Sequence, residues 1–529
     1  MPVHGTRLSE ASARRFVTEF AISVALEPGE RWWGGSSTDG ILMPYGDAHF
    51  SQDLARTTSL DGRVGGPSNQ AAPVLVSTAG RAVASVDPFS FTFCNGRLDV
   101  RGPGLQLIET GGALRDALRA VAAPSGLLPA RKLITAPQYC TWIEMPHSPT
   151  QERVVGFARD ILAAGMPAGT IIVDDCWSPG YGNWTFDPAR FPEPAMMLDE
   201  LHRLGFSVML WVVPFVSPDS RAFRELNGRN LLVRTGDGHV AVREWWNGYS
   251  ALLDVSNPSA VSWLTEQLDD LLQIHGVDGF KFDAGDVRDY FPDDQNYQQS
   301  TPVEMCQHWA RIGLRYSFNE FRACWNMPGQ PLGQRLQDKP PMWGPLGLGS
   351  LIPEMLAQSM MGYAVVSPDM IGGGEITAME GQSSIDQEFI VRYAQLASLS
   401  PMMQFSMLPS RVLDERHHTA VLQALRMREE MMPVIIELAE ESAQTGEPII
   451  RPLAYQDAPL AEVTDQFMLG SDYVVAPVLE SRADSRAVVL PPGRWQLRGV
   501  DGLHGDALNG GQTVTVPCGL ETIPVFQRV

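Results

Sequence analysis

The segment GVDGFKFDAGD, residues 276–286, places charged side chains at the end of an apolar strand. Side chains alternate across a strand, so Lys281 and Asp283 share one face. Buried charge is costly unless it is paired. The segment therefore has two interpretations. It holds a structural ion pair of Lys281 with Asp283 or Asp286, or it holds a reactive carboxylate beside a cation, at the mouth of a parallel barrel.

The same rhythm of short apolar strands and helical stretches extends over about 300 residues around this segment. GTIIVDD, FSVMLWVVPF and YAVVSPD have the length of buried strands, and PTQERVVGFARDILAAG has the period of an amphipathic helix. Repeated strand–helix units predict an α/β fold in which a parallel sheet closes as a (β/α)8 TIM barrel. About seven barrel strands can be placed from the sequence, whereas the eighth cannot be located.

Strand-rich segments flank this central region on both sides. Alternating runs such as APVLVSTAG and FSFTFCNGRLDV, broken by turn residues, predict an N-terminal β-sandwich. A similar pattern returns near residue 445 with YVVAPVL and RAVVLPPGRWQL and predicts a C-terminal β-sandwich. The expected domains are 1–128 (N-terminal β-sandwich), 129–440 (catalytic barrel) and 441–529 (C-terminal β-domain).

Charge and composition narrow the class of ligand. The 529 residues carry a formal net charge of −21, which repels nucleic acids and anionic membrane surfaces. The start, MPVHGTRLSEASARRF, has no apolar leader core, and no run of about 18 apolar residues follows. We therefore expect a cytoplasmic protein that binds a small molecule and neither nucleic acid nor membrane, with a homo-oligomer possible. Six cysteines without a C-x-x-C pair argue against a structural zinc site or a disulfide scaffold.

Acidic and aromatic side chains occur together after several predicted strands. VDDCW places Asp174 and Asp175 just before Trp177, and MLWVVPF contains Trp211. A sugar packs its C–H faces on aromatic rings and donates its hydroxyls to acids, so this combination suits a carbohydrate. A single tryptophan is more often a core residue, and only the repetition favours a sugar site.

A second candidate acid lies in the Gly/Pro-rich stretch RACWNMPGQPLGQRLQDKPPMWG, at Asp338. A loop acid opposite a strand-end acid suits glycoside cleavage, in which one carboxylate attacks the anomeric carbon and the other donates a proton to the leaving oxygen. The competing interpretation is a solvated loop acid paired with Arg335 or Lys339. This chemistry requires no metal or organic cofactor, and the ten histidines show no metal-ligand spacing.

Taken in order, VDDCW, KFDAGD, RACWNMPGQPLGQRLQDK, PDMIGGG and EPIIRPLAY resemble the motifs of glycoside hydrolase family 31 over nearly the whole chain. The resemblance implies Asp283 as nucleophile on the fourth barrel strand, Asp338 as acid/base, and Asp174 as a ligand of a sugar hydroxyl. The full set of expected substrate-binding residues is Asp174, Asp175, Trp177, Trp211, Lys281, Arg322, Arg335, Trp343 and Asp369. We further expect Lys281 to favour the ionised form of Asp283, and a less polar loop site beside Trp343 to keep Asp338 protonated.

The sequence departs from the α-glucosidase branch of that family at three places. The branch commonly has W-x-D, W-x-G-D and R-x-H where this chain has KFD (281–283), LQD (336–338) and RVL (411–413). Lys281 and the segments DDCW, DKPPMWGPLGL and MMQFSMLPSR look more like the α-galactosidase branch, which includes the myogenesis-regulating glycosidase. The resemblance therefore implies a retaining, exo-acting α-galactosidase. An α-glucosidase or α-xylosidase is the alternative within the family, and a catalytically inactive carbohydrate-binding or chaperone-like homologue is the alternative outside enzymes.

Overall fold

In the described part of the chain, eight short parallel strands form the centre of the fold. The last of them, Gln404–Phe405, pairs with the first, Gln138–Cys140, and a parallel bridge between Ile371 and Phe405 joins it to the chain that follows the seventh, Val366–Ser367. The sheet therefore closes, and the predicted (β/α)8 barrel is confirmed. Barrel strands 1 to 8 are Gln138–Cys140, Thr170–Val173, Ser207–Val212, Gly279–Phe282, Phe318–Phe321, Gln334–Arg335, Val366–Ser367 and Gln404–Phe405.

The structure is a computed structural model that describes residues 14–18, 20–56, 69–375 and 385–529. The sequence predicts no leader in the N-terminal segment. Residues 1–13 of that segment lie outside the described residues. Within the described ranges, no helix has both the length and the apolar character needed to cross a membrane.

Helices cover the outside of the barrel, and the first long one shows how an apolar face packs against the strands. In the helix Gln151–Ala163, the buried residues Val154, Phe157 and Ile161 recur every three or four positions. Thr150 caps this helix by accepting a hydrogen bond of 3.3 Å from the amide of the third helical residue. In the ranges that the structure describes, the other α-helices from the start of the barrel onward are Arg131–Thr135, Thr141–Glu144, Pro194–Arg203, Arg221–Gly228, Pro258–Asp270, Pro302–Gly313, Leu351–Met360, Gln387–Ser398, Pro409–Val412 and Glu415–Thr445.

Barrel strand 4 shows why its sequence alternates. Phe282 points outward, where it stacks on Phe321 at 4.9 Å between ring centroids and meets the edge of Trp309 at 5.4 Å. Lys281 and Asp283 therefore point to the interior, as the sequence predicts for one face of a strand. Strand 4 thus contributes apolar packing on one side and buried charge on the other.

Antiparallel sheets flank the barrel on both sides, as predicted. Among the described residues, the N-terminal domain has sheets of five and four strands and the C-terminal domain has sheets of six and two strands. The 31-residue helix Glu415–Thr445 spans the proposed boundary at 440/441, and the three domain limits remain predictions. The N-terminal strands are Arg14–Thr18, Ala21–Ala25, Trp32–Ser36, Phe50–Asp53, Ala71–Ser77, Arg81–Ala84, Ser90–Cys94, Arg97–Arg101 and Leu105–Glu109, and the N-terminal helix is Leu114–Val121. The C-terminal strands are Ile450–Arg451, Phe467–Leu469, Tyr473–Val475, Ser485–Leu490, Arg494–Gly499, Gly502–Asn509, Gln512–Pro517 and Val525–Arg528.

The N-terminal sandwich contacts the barrel closely. The amide group of Gln70 donates to the carbonyl of Arg335 at 2.6 Å, so a sandwich residue supports a residue of barrel strand 6. Gly40 lies against the helix Leu351–Met360. A Cβ atom there would come within 2.6 Å of the Glu354 Cα, which leaves room only for glycine.

Arg428 connects several segments of the chain at the bottom of the barrel through hydrogen bonds. This residue lies on the long helix Glu415–Thr445 and is buried. Its guanidinium caps the end of the helix Gln387–Ser398 and also bonds to the chain just before strands 1 and 8. The acceptors are the carbonyls of Ser398 (3.0 Å), Ser400 (2.7 Å), Ile134 (2.6 Å) and Pro401 (3.0 Å).

We expect Arg428→Met to lower the free energy of unfolding by at least about 2 kcal/mol, because several buried carbonyls would lose their donor. Chemical denaturation followed by circular dichroism and tryptophan fluorescence measures this loss. The matched control is Arg426→Met on the exposed side of the same helix, which should change stability by no more than about 0.5 kcal/mol. Equal stability of the two variants would contradict the role of Arg428.

Candidate active site

Asp283 lies where barrel strand 4 ends, and its two carboxylate oxygens have different partners. Oδ1 accepts from Arg322 Nε at 3.0 Å and from the amide of Ala284 at 2.9 Å. Oδ2 accepts from the indole N–H of Trp211 at 2.8 Å. Trp211 belongs to the neighbouring strand 3 and Arg322 follows strand 5. The carboxylate is therefore held from both sides and has one orientation.

The positive charges around Asp283 decide its protonation state. Burial alone would raise the pKa of Asp283. The charges of Arg322, Lys281 and Arg335 outweigh burial and hold the pKa well below its ordinary value. The nucleophile candidate is thus ionised at neutral pH, with Arg322 as its main cation. The sequence assigned this effect to Lys281, which contributes less.

Asp286 and a tight turn position Arg322. The two oxygens of Asp286 accept from the two terminal nitrogens of Arg322 at 2.8 and 3.1 Å, a bidentate pair that leaves Nε directed at Asp283. The turn requires Gly285, whose φ is +67° and whose Cβ, if present, would lie 2.5 Å from the ring of Trp309.

Lys281 does not form the ion pair that the structural interpretation predicted with Asp283 or Asp286. Its Nζ lies 2.7 Å from Asp174 Oδ2, after strand 2, because the long side chain extends across the barrel interior while Arg322 occupies the place beside Asp283. Burial would lower the pKa of Lys281, but Asp174 raises it above its ordinary value. Lys281 is therefore an ammonium that pairs with Asp174 at the mouth.

Asp338, the second candidate acid, lies on a braced loop. Arg335 Nη1 contacts Asp338 Oδ1 at 2.8 Å and Asp369 Oδ1 at 2.6 Å. Asp369 also accepts from the amides of Lys339 at 2.6 Å and Gly374 at 3.0 Å, which positions the residue next to Asp338. The side chain of Asp338 is 37% exposed, against 11% for Asp283, so the second acid has access to water.

A hairpin that the sequence interpretation missed reaches the mouth. Strands Val242–Trp245 and Gly248–Leu252 pair so that Trp246 and Asn247 form the tip. Asn247 donates to Asp175 Oδ2 at 2.6 Å, and the ring of Trp246, 41% exposed, lies 5.4 Å from the guanidinium of Arg322. The sequence signal that could have indicated this hairpin is the dipeptide Trp246-Asn247 followed by Gly248.

Asp175 is buried, and no lysine or arginine of the described chain forms an ion pair with it. Its hydrogen-bond donors include Tyr181, Asn247 and the amide of Cys176. Burial, followed by the nearby charge of Asp174, raises the pKa of Asp175 to about 6.

Two of the predicted sugar-binding tryptophans lie elsewhere. Trp177 is completely buried, donates its indole N–H to the carbonyl of Trp211 at 2.7 Å, and packs on Trp184 and Phe186. It therefore fills the core behind the site. The indole N–H of Trp343 donates to Asp386 and its ring contacts Phe389, whereas the polar neighbour of Asp338 is Arg335. The expected apolar pairing of Asp338 with Trp343 is thus replaced by an ionic one.

The mouth contains more acids than bases. Among the described residues, three buried cations, Lys281, Arg322 and Arg335, pair with a larger group of carboxyl groups. A buried carboxylate that is ionised, as Asp283 is, stabilises a neighbouring species that becomes positive. The paired carboxyl groups are Asp174, Asp283, Asp286, Glu320, Asp338 and Asp369.

Known proteins match both the sequence and the fold. The model of the glycosyl hydrolases family 31 TIM-barrel domain matches residues 134–329, and that of the family 31 C-terminal domain matches residues 446–529. The mouse myogenesis-regulating glycosidase is 35% identical over 387 residues, which are 70% of this chain and 53% of that protein. The SITS-binding protein of Tetronarce californica is 26% identical over 344 residues, 62% of this chain and 48% of that protein. The chain spans about half the length of these curated relatives.

Solved structures agree at the level of the fold. A Flavobacterium johnsoniae family 31 dextranase complexed with glucose superposes with a TM-score of 0.81 at 18% identity, over 96% of this chain and 66% of that one. A family 31 sulfoquinovosidase from E. rectale gives 0.80 at 20% identity, over 96% and 82%. On the matched domains, the shared barrel and the similarity to the mouse protein, this chain belongs to glycoside hydrolase family 31.

Proposed function

We propose that this protein is a retaining, exo-acting α-glycoside hydrolase that cleaves terminal α-galactosides by double displacement. The observation that supports it most directly is the contrast between Asp283, buried and held ionised by Arg322, and Asp338, a more exposed acid on a braced loop. A carboxylate nucleophile and a proton donor with access to water are the two groups that such a reaction needs.

In the first step, Asp283 attacks the anomeric carbon and Asp338 gives its proton to the departing glycosidic oxygen. The hydrogen bonds from Arg322 and Trp211 direct the carboxylate, so little reorganisation is needed before the attack. The bond from sugar to leaving group breaks as the bond to Asp283 forms, which gives a glycosyl ester.

In the second step, Asp338 accepts a proton from water, and the resulting nucleophile cleaves the ester and restores Asp283. Because the anomeric carbon is inverted twice, the sugar leaves with its original configuration. Both transition states carry positive charge on the sugar ring, and the ionised carboxylate of Asp283 favours that charge.

The preference for galactose rests on the side chains at the ends of strands 2 and 4. Galactose and glucose differ only at O4, so groups that hydrogen-bond there must discriminate. Asp174 and Lys281 present a buried acceptor and donor side by side, and we assign the O4 contact to Asp174. An α-glucosidase or α-xylosidase remains the alternative within the family. The proposed substrates are small oligosaccharides or glycosides. The proposed location of the enzyme is the cytoplasm.

The roles of the two acids predict a dependence on the leaving group. The wild-type product should keep the α configuration when followed by NMR. Asp338→Ala should lower kcat/KM by about 10²–10⁴-fold on substrates with poor leaving groups, and far less on activated aryl glycosides, which need little protonation. Asp293→Ala, an exposed acid on another loop, is the matched control and should leave both rates unchanged. An inverted product, or equal losses on both substrates, would contradict the assignment.

The pKa values predict the acid limb of the pH profile. Asp283 has a lowered pKa and stays ionised throughout the usual range, whereas Asp175, with a pKa near 6, gains a proton as pH falls. A protonated Asp175 no longer offers a sugar the same charged acceptor. We therefore expect kcat/KM to fall below about pH 6, and Asp175→Asn to have a lower rate without this limb. A limb that persists near pH 6 in Asp175→Asn would exclude Asp175 as its source.

The sugar preference has its own test in matched nitrophenyl α-galactoside and α-glucoside. We expect the galactoside to have the higher kcat/KM by at least about fivefold, since an unmatched buried polar group costs about 1–3 kcal/mol. Asp174→Asn should lose most of this ratio. Asp278→Asn, at the opposite end of strand 4, should keep it. A higher kcat/KM on the glucoside would assign the protein to the α-glucosidase alternative, and no turnover of either would favour an inactive homologue.

A further inference from the structure

Three side chains with metal-binding atoms meet at the rim of the barrel, outside the ion pairs of the catalytic centre. They are the imidazole of His147, the carboxylate of Asp175 and the thiol of Cys176. One ligand atom of each lies within 4.8 Å of the other two. His147 is exposed, Cys176 is half-buried and Asp175 is buried, so the group opens to solvent on one side.

The two loops that carry these residues are tied together. The Nη1 atom of Arg190 donates to the carbonyl of His147 at 3.0 Å and to that of Cys176 at 3.1 Å. The ring of His147 also packs edge-on against Trp142, with centroids 5.5 Å apart. One guanidinium therefore fixes the distance between the loop after strand 1 and the loop after strand 2, independently of any bound ligand.

Asp175 has the environment of a metal-binding carboxylate. Oδ1 accepts from the amide of Cys176 at 2.7 Å, and Oδ2 accepts from Tyr181 at 3.1 Å and Asn247 at 2.6 Å. Ligating carboxylates are usually oriented by such outer hydrogen bonds. Because a carboxylate oxygen has two lone pairs, Oδ1 keeps one for a cation. No arginine or lysine in the described ranges satisfies this buried acid.

The donor set selects the class of ion. Thiolate and imidazole with one carboxylate suit zinc-type transition metals, whereas magnesium and calcium prefer oxygen ligands alone. Tetrahedral zinc would bring the donor atoms to about 3.3–3.6 Å from one another. Because the donor atoms lie within 4.8 Å of one another, they would need to approach by no more than about 1.5 Å to reach the spacing of tetrahedral zinc.

We propose that His147, Asp175 and Cys176 form a binding site for a zinc-type divalent ion at the rim of the substrate pocket. The ion is no cofactor of glycoside cleavage, whose acids lie on strand 4 and on the loop after strand 6. It competes with the sugar for Asp175 and so inhibits. The site has no sequence signature because its ligands are 28 residues apart on two loops and meet only in the folded barrel.

Binding is measured on the full-length protein with zinc alone by isothermal titration calorimetry, and with cobalt by the thiolate-to-metal absorption band. We expect one ion per chain and a cobalt–thiolate band. His147→Ala and Cys176→Ser should each weaken binding at least about tenfold, and Cys176→Ser should remove the band. Magnesium should neither bind nor displace zinc.

Two substitutions serve as matched controls. Cys94→Ser removes another half-buried thiol, and His239→Ala removes an exposed imidazole beside an acid, 3.9 Å from Asp237. Both variants should bind zinc as the wild type does. If no ion binds, or if the control variants lose affinity as much as His147→Ala and Cys176→Ser, the site is refuted. Circular dichroism shows whether Cys176→Ser folds as the wild type does. If it does not, the affinity of His147→Ala for zinc decides whether the site exists.

The inhibitory role is tested separately and rests on the proposed function. With an aryl α-glycoside that the enzyme cleaves, zinc should raise KM and leave kcat unchanged, and His147→Ala should be at least about tenfold less sensitive. Zinc binding without an effect on KM refutes competition for Asp175. If no glycoside is cleaved, the proposed function fails, while the calorimetry still decides whether the site exists.

Discussion

The pairing of buried charge at the mouth of the barrel is the constraint on which the rest of this structure depends. Lys281 and Arg335 are almost completely buried, and an unpaired charge in such surroundings would be strongly destabilising. Each is satisfied by carboxylates from other strands, Lys281 by Asp174 and Arg335 by Glu320 and Asp369. The arrangement of the strands brings these partners together and so avoids the cost of an isolated buried charge.

The same pairing supplies the chemistry. Asp286 holds Arg322 through two hydrogen bonds, and Arg322 in turn holds Asp283 ionised, so the charge state of the proposed nucleophile depends on a neighbouring guanidinium. Asp369 uses three hydrogen bonds to position the loop of Asp338. The N-terminal sandwich takes part through Gln70, which supports the backbone at Arg335. The barrel and its flanking domain thus contribute to one site.

Sequence reasoning located the acids better than their surroundings. Asp283 and Asp338 stand out because carboxylates follow an apolar strand or lie in a Gly/Pro-rich loop, and the order of the motifs resembles one family. Trp177 was expected to bind a sugar, but its ring fills the core. The sequence pattern of a tryptophan next to an acid is the same in both cases. Trp246 and Asn247 were missed because a hairpin tip reaches the mouth only through the pairing of its strands.

Local properties of the chain were enough to predict the fold class and to propose Asp283 and Asp338 as the reactive groups, since periodicity and residue type can be recognised without tertiary contacts. The eighth strand, Gln404–Phe405, is two residues long, and no periodic pattern can be recognised over that length. The choice of partners was decided only in three dimensions: Lys281 with Asp174, Arg322 with Asp283, and His147 near Cys176. Closing a barrel places the ends of distant strands within a few ångströms of one another, and charge pairing depends on that distance rather than on separation along the chain.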